Sequence, residues 1–205
     1  MKLKQTSFLK KYGKKPLLDV RYSQEVVFMW KKLKNGQNIE FKRPEVEDCA
    51  SLVEMMKTTY KESNFLTRYE DEFNITVEDE IRWINRFDHQ TTTMMIVKDG
   101  DKVIGNASIN LPLNAEKTKH RCGFGIAIIE AYHGMGVGRL LTREMIQFAK
   151  NAGYEQIELE VACRNYRAIQ LYMSEGFVVY GKRPNAFKCR DGHYEDEYLM
   201  VLDLR

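Results

Sequence analysis

The chain has 205 residues, 43% hydrophobic and 30% charged, with 11 Tyr and 10 Phe. That length suits one domain of somewhat above the usual size, roughly 150 residues, and the aromatic content supports a packed core rather than a disordered chain. The formal net charge of +3 is too small for the clustered basic surface of a nucleic-acid binder. No apolar run approaches the roughly 18 residues of a membrane span, and the N-terminus lacks a signal-peptide apolar core, so a cytoplasmic location is the expectation.

Residues 1–24 give mixed signals, apart from a basic run at Lys10-Lys11-Tyr12-Gly13-Lys14-Lys15 that reads as a solvated arm. Glu25–Trp30 and Asn38–Arg43 are rich in β-formers and flank Lys34-Asn35-Gly36-Gln37, a hairpin signal. Pro44 ends the second strand. Glu45 to about Tyr60 reads as a helix with Leu52, Val53, Met56 and Tyr60 on one face. A polar loop over 61–75 leads to a second helix that starts at Thr76, where Asp79 three residues later makes a capping box. Ile81, Ile84 and Phe87 are its apolar positions.

Strands follow at Thr92–Lys98 and Lys102–Leu111, joined by Asp99-Gly100-Asp101. His120–Ile129 is apolar almost throughout, which predicts a strand buried on both faces. A helix carrying Leu141, Met145, Phe148, Ala149 and Ala152 ends before Gly153, a suitable left-handed stop. Gln156–Val161 alternates, with Ile157, Leu159 and Val161 on one side and Glu158 and Glu160 on the other. A helix over 165–175 stops at Gly176, and Phe177–Tyr180 and Tyr194–Leu204 close the chain as strands, with a turn at Asp191-Gly192. The order of elements predicts an α/β (α+β) domain around a mixed sheet.

Cys49, Cys122, Cys163 and Cys189 lie far apart and form no CxxC pair. Reduced, mostly buried thiols and no metal are therefore expected.

The chemistry concentrates in two segments. The first is His133-Gly134-Met135-Gly136-Val137-Gly138, between an apolar strand and an amphipathic helix. Alternate glycines let the backbone bend and approach a ligand closely, and the helix that follows aims free N–H groups and its positive dipole end at the loop. A phosphate or pyrophosphate suits such a cradle. No Gly-Lys-Ser/Thr follows, which excludes a Walker A loop. The glycine spacing and the late position in the chain also disagree with a dinucleotide fingerprint.

The second segment, Asn165 to Phe177, has the form Asn-x-x-Ala-x-x-Leu-Tyr-x-x-x-Gly-Phe. With it, the chain over about residues 38–205 resembles the GNAT superfamily of acetyl-CoA-dependent N-acetyltransferases. The loop at 133–138 is similar to that family's pyrophosphate loop, with His133 where Gln or Arg is usual. Residues 1–37 lie largely outside the resemblance and form an N-terminal extension ending in the first strand of the hairpin. The closing segment Gly181–Lys188 and Asp191–Met200 is similar to members of the ribosomal-protein N-acetyltransferase and amino-acid N-acyltransferase type.

The resemblance implies the GNAT fold: a central mixed, mostly antiparallel sheet splayed at two parallel strands and flanked by helices. It implies acetyl-CoA as co-substrate and a primary amine as acceptor: a protein N-terminus, an amino acid, a polyamine or a similar small amine. It places backbone groups of Ile126, Ala127 and Ile128 along the pantetheine arm and N–H groups of Gly134, Met135, Gly136, Val137, Gly138 and Arg139 around the pyrophosphate. His133 and Arg139 would add donors or charge there. Asn165 would hydrogen-bond the pantetheine arm or cap its helix, and Ala168 would leave room for CoA. Tyr172 falls where the family places the general acid that serves the departing thiolate.

The general base stays open among Glu130, just past the central strand, His120 at its start, and a water relay. The loop at 61–75, with Glu62, Phe65, Tyr69, Glu70, Asp71 and Glu72, and the hairpin at 181–193 are expected to meet the acceptor. A homodimer is common in such a family and nothing in the sequence demands one. Two other readings are a non-catalytic CoA-binding regulatory module and a ribosome-associated protein that uses the basic arm.

Overall fold

The computed structural model describes residues 21–22, 27–33, 35–111 and 115–205. The basic run at 10–15, Glu25, Val26 and Lys34 lie outside the described residues.

The sheet begins with β1 (Arg21–Tyr22), β2 (Val27–Lys32) and β3 (Asn38–Lys42). Two helices follow, α1 (Cys49–Glu62) and α2 (Val77–Ile84). Then come β4 (Thr93–Asp99), β5 (Lys102–Asn110) and β6 (Arg121–Ile128). The chain ends with α3 (Val137–Asn151), β7 (Gln156–Ala162), α4 (Tyr166–Ser174), β8 (Val178–Lys188) and β9 (Tyr194–Asp203). The strand order is β1-β2-β3-β4-β5-β6-β7-β9-β8, and β6–β7 is the parallel pair. All other neighbours are antiparallel.

Local chemistry explains most boundaries. Thr76 and Asp79 form the expected capping box, with Asp79 N–H donating to Thr76 Oγ1 (3.1 Å) and Thr76 N–H to Asp79 Oδ2 (3.0 Å). Gly153 (φ +84°) and Gly176 (φ +99°) end α3 and α4 in the left-handed region. In the β2–β3 hairpin, Leu33 N–H donates to Gln37 O, so the loop is longer than a two-residue Asn-Gly turn. Met29 and Leu33 are buried, so β2 shares the main core.

The β6–α3–β7 and β7–α4–β8 crossovers step the same way across the sheet. Right-handed crossovers then place α3 and α4 on one face, where they touch. Helices α1 and α2 pack together, and α1 and α3 both pack on β5 and β6. The core between these layers includes Phe41, Leu52, Ile96, Ile104, Ile109, Leu141 and Met145, each fully buried. Among the described residues no helix is long and apolar enough to cross a membrane. Cys49 and Cys122 are buried thiols, whereas Cys163 and Cys189 are half-buried.

Two expectations are corrected. The apolar strand β6 is not buried on both faces: Cys122 is its one buried residue and Gly125 is exposed. The last strand pair also differs. Instead of stopping near Tyr180, β8 continues to Lys188. Its register breaks at Val179/Gly181 and Arg183/Phe187 hide the alternation that marks a strand. Asn185, in the second break, takes φ +53°.

Candidate active site

Parallel pairing of β6 with β7 joins Arg121, Cys122 and Gly123 to Gln156, Ile157 and Glu158 and goes no further. Beyond it the strands part, and a cavity of about 1250 Å³ opens along Phe124–Ile128 and Leu159–Ala162. This gap is why β6 is apolar yet half-exposed.

Backbone direction along β6 decides which groups face the gap. Ile129 N–H donates to Ile104 O on the β5 side (3.1 Å). Strand polarity alternates, so Ala127 also faces β5 while Phe124, Ile126 and Ile128 face the gap. The Ala127 carbonyl indeed lies 3.0 Å from where a Cβ on Gly105 would stand. Ala127 therefore does not offer its backbone to the gap, contrary to the sequence expectation. The Ile128 carbonyl is engaged as well: His133 Nε2 donates to it at 2.8 Å. The unusual loop histidine thus closes the end of β6.

At one end of the cavity the glycine loop lies open. Gly134 (φ +76°) and Gly136 (φ +91°) hold left-handed conformations, and a Cβ on either would meet nothing within 4 Å. Gly136 is the N-cap of α3, so the first N–H groups of α3 point into this open space. Gly138 has a different purpose. A Cβ there would lie 3.2 Å from Leu171 Cδ2 and 3.3 Å from Ile128 Cδ1, so its lack of a side chain lets α3 approach α4 and β6. The side chain of Val137 is fully buried and that of Met135 packs on the core, so only their backbone is available to the loop. Arg139 lines the cavity and pairs with Glu175 (Nε–Oε1 3.2 Å), which also pairs with Arg143.

Helix α4 forms the adjoining wall. Asn165 caps it, with Oδ1 accepting from Ala168 N–H at 3.3 Å, and both residues line the cavity. Tyr172 is buried yet lines the cavity, with its ring held edge-on to Phe124 (centroids 6.0 Å apart) and tilted on Phe177 (5.9 Å). Burial pushes its phenol well above the ordinary value, so it stays protonated. Among the described residues none hydrogen-bonds its hydroxyl, which leaves the O–H free for a ligand.

The rest of the lining comes from Glu62 at the C-terminus of α1, Phe65 and Thr67 of the loop that follows it, and Tyr180 and Phe187 of β8. Tyr69 lies outside the lining and fastens this loop to the β8–β9 turn. Arg190 N–H donates to the Tyr69 hydroxyl (2.9 Å), and the Arg190 guanidinium lies 4.0 Å from the Tyr69 ring centroid and bonds Asp71 at 2.7 and 2.8 Å.

Glu158, Glu160 and Glu197 also line the cavity. Arg121 bonds Glu158 (3.0 and 3.1 Å). Arg183 bridges Glu160 (2.8 Å) and the buried Glu197 (2.6 Å). Burial and the nearby Glu160 push the Glu197 carboxyl up, against the pull of Arg183. Sequence reasoning singled out none of these three as functional. For Glu158 and Glu160 the available signal was the less buried side of β7, the strand beside the gap; Glu197 comes from β9.

The two suggested bases fare differently. Glu130 lines the cavity but sits past the end of β6, where its N–H donates to Glu62 Oε2 (2.7 Å). His120 is not brought to the cavity. It precedes the paired end of β6, where its carbonyl accepts from Glu155 N–H at 2.8 Å, so the whole strand separates it from the glycine loop.

A family model described as the acetyltransferase (GNAT) family matches residues 53–177, from α1 through the end of α4. The chain belongs to the GNAT acetyltransferase family. Its fold is similar to a GNAT-family acetyltransferase from Streptococcus pneumoniae, at a TM-score of 0.77 and 25% identity over 81% of this chain and 99% of that one. It is also similar to an acetyltransferase from Salmonella typhimurium solved with acetyl-CoA, at a TM-score of 0.73 and 19% identity over 82% and 94%. Among curated proteins, the Escherichia coli [ribosomal protein bS18]-alanine N-acetyltransferase is 36% identical over 81 residues, 40% of this chain. The match spans 54% of that enzyme, and only 19% of a Mycobacterium leprae relative. The matched GNAT segment contains the strand gap, the glycine loop and Tyr172.

Proposed function

We propose that this GNAT protein is an acetyl-CoA-dependent N-acetyltransferase that acts on a primary amine. One observation carries the reading: a single cavity runs from an open glycine cradle, past a free buried phenol, to a group of carboxylates. The cradle fits a pyrophosphate, because the space a side chain would fill at Gly134 and Gly136 is empty and helix N–H groups face it. Acetyl-CoA, when bound, supplies an activated acetyl thioester.

The chain's own groups divide the remaining work. Backbone N–H groups of residues 134–139 bind the pyrophosphate. The backbone of Ile126 faces the gap and orients the pantetheine arm, with Asn165 beside it. Ala168 keeps the wall low. Tyr172 donates its proton or a hydrogen bond to the sulfur as the thiolate departs.

Glu160 accepts the acceptor's proton. It is the first side chain on its face of β7 beyond the paired segment, and it shares one guanidinium with Glu197, so the pair keeps excess negative charge. That charge draws an ammonium toward the gap and takes up the proton on attack. The carboxylate lining and the likeness to a protein-alanine N-acetyltransferase favour a free amino terminus or a small cationic amine.

Glu160→Gln is expected to lower kcat/KM by about 100-fold near neutral pH. The loss should shrink as pH rises toward the acceptor's own pKa, about 8 for an α-amino group, because the amine then arrives unprotonated. A pH–rate profile identical to that of the unsubstituted protein would remove Glu160 from the role. Comparing short peptides with free amino termini against small amines such as polyamines identifies the acceptor.

A further inference from the structure

The turn joining β8 and β9 carries three different metal-ligand side chains within a few residues. Cys189, Asp191 and His193 offer a thiol sulfur, a carboxylate oxygen and an imidazole nitrogen that all lie within 4.8 Å of one another. Backbone geometry creates the cluster. Cys189 N–H donates to His193 O (2.8 Å) and Gly192 N–H to Cys189 O (2.9 Å). That pairing sets Cys189 and His193 opposite each other, and Gly192 at φ +89° turns the chain between them. Asp191 Oδ1 accepts from His193 N–H (3.2 Å) and lies 2.5 Å from His193 Nδ1.

A second feature points to a metal ligand rather than a chance surface group. The other imidazole nitrogen, Nε2, faces Glu195 Oε1 at 3.4 Å. Glu195 is buried and fixed by Arg164 at 3.0 Å. An imidazole held by a carboxylate on one nitrogen, with its other nitrogen beside a thiol and a carboxylate, is the arrangement that orients histidine toward a metal.

We propose that Cys189, Asp191 and His193 form a divalent-metal site suited to Zn²⁺. Sulfur, nitrogen and oxygen donors together suit this borderline-soft ion, and three protein ligands leave its fourth tetrahedral position to water. The ion replaces the hydrogen bond between His193 Nδ1 and Asp191: the imidazole binds through deprotonated Nδ1 and keeps its proton on Nε2 toward Glu195, Cys189 binds as thiolate, and the displaced protons go to solvent. The absence of a CxxC pair excludes a different spacing and does not bear on this one. Arg190, in the middle of the turn, is the residue that clasps Tyr69 and Asp71, so the ion would stiffen the link between the two loops at the acceptor end. The site stands independently of the acetyl-transfer reading.

The test uses the untagged full chain. Competition against a chromophoric chelator should show one equivalent of Zn²⁺ bound. Co²⁺ in its place should give a thiolate-to-metal charge-transfer band. Cys189→Ser should remove that band, and both Cys189→Ser and His193→Ala should weaken Zn²⁺ by at least about tenfold, with the far-UV dichroism of the metal-free protein unchanged. Less than one equivalent bound, no charge-transfer band, or equal Zn²⁺ affinity in the two variants would overturn the site.

Discussion

Tyr172→Phe is expected to lower kcat on the order of 100-fold, the scale of one positioned proton donor, while CoA affinity changes by no more than about fivefold, or ~1 kcal/mol for one neutral hydrogen bond. The asymmetry follows from where the hydroxyl sits. The ring packs on Phe124 and Phe177, and those contacts survive the substitution. The hydroxyl has no protein partner among the described residues, so its removal leaves no buried group unsatisfied and the fold intact. What is lost is a donor needed when negative charge develops on sulfur. Steady-state kinetics beside calorimetric CoA titration separates the two effects. Unchanged kcat would show that solvent or another group serves the thiolate.

Gly136→Val is expected to weaken CoA by at least about 100-fold. The position holds φ +91°, which a β-branched residue adopts poorly, at a cost of roughly 1–2 kcal/mol to the backbone. A Cβ there meets no protein atom within 4 Å, so the fold itself should tolerate the change. On the proposed reading, the space the valine fills is the space the pyrophosphate needs. Losing two charge-assisted N–H donors, about 1.5–3 kcal/mol each, accounts for the magnitude. Dichroism and thermal melting establish that the variant folds, and a CoA titration then reads the loss. Retained tight binding would place the phosphates elsewhere.

The parts of the site that were legible in the sequence rest on local chemistry. Glycines at alternate positions before a helix, and the Asn165–Phe177 pattern, keep their meaning whatever surrounds them. The Thr76–Asp79 cap was readable for the same reason. What escaped depends on partners far away in sequence. The exposure of β6 follows from β7 leaving it after Gly123, which no property of residues 121–128 announces. The length of β8 is hidden by two breaks that β9 absorbs. Glu160 and Glu197 come together only because β7 pairs β9 and Arg183 reaches across both. Glu130 and His120 were attractive by proximity to the strand ends; the fold brings Glu130 to the cavity and leaves His120 outside it. His133 could be noticed as unusual, yet its hydrogen bond to the Ile128 carbonyl depends on how the loop folds back.

The most direct measurement of the central claim is thiol release from acetyl-CoA by the full chain, with and without a panel of amines, beside thermal stabilisation by CoA. Stabilisation by CoA together with acceptor-dependent thiol release and an acetylated product is the result predicted. Stabilisation without release for any peptide amino terminus, amino acid or polyamine would contradict the enzyme reading and leave a CoA-binding module.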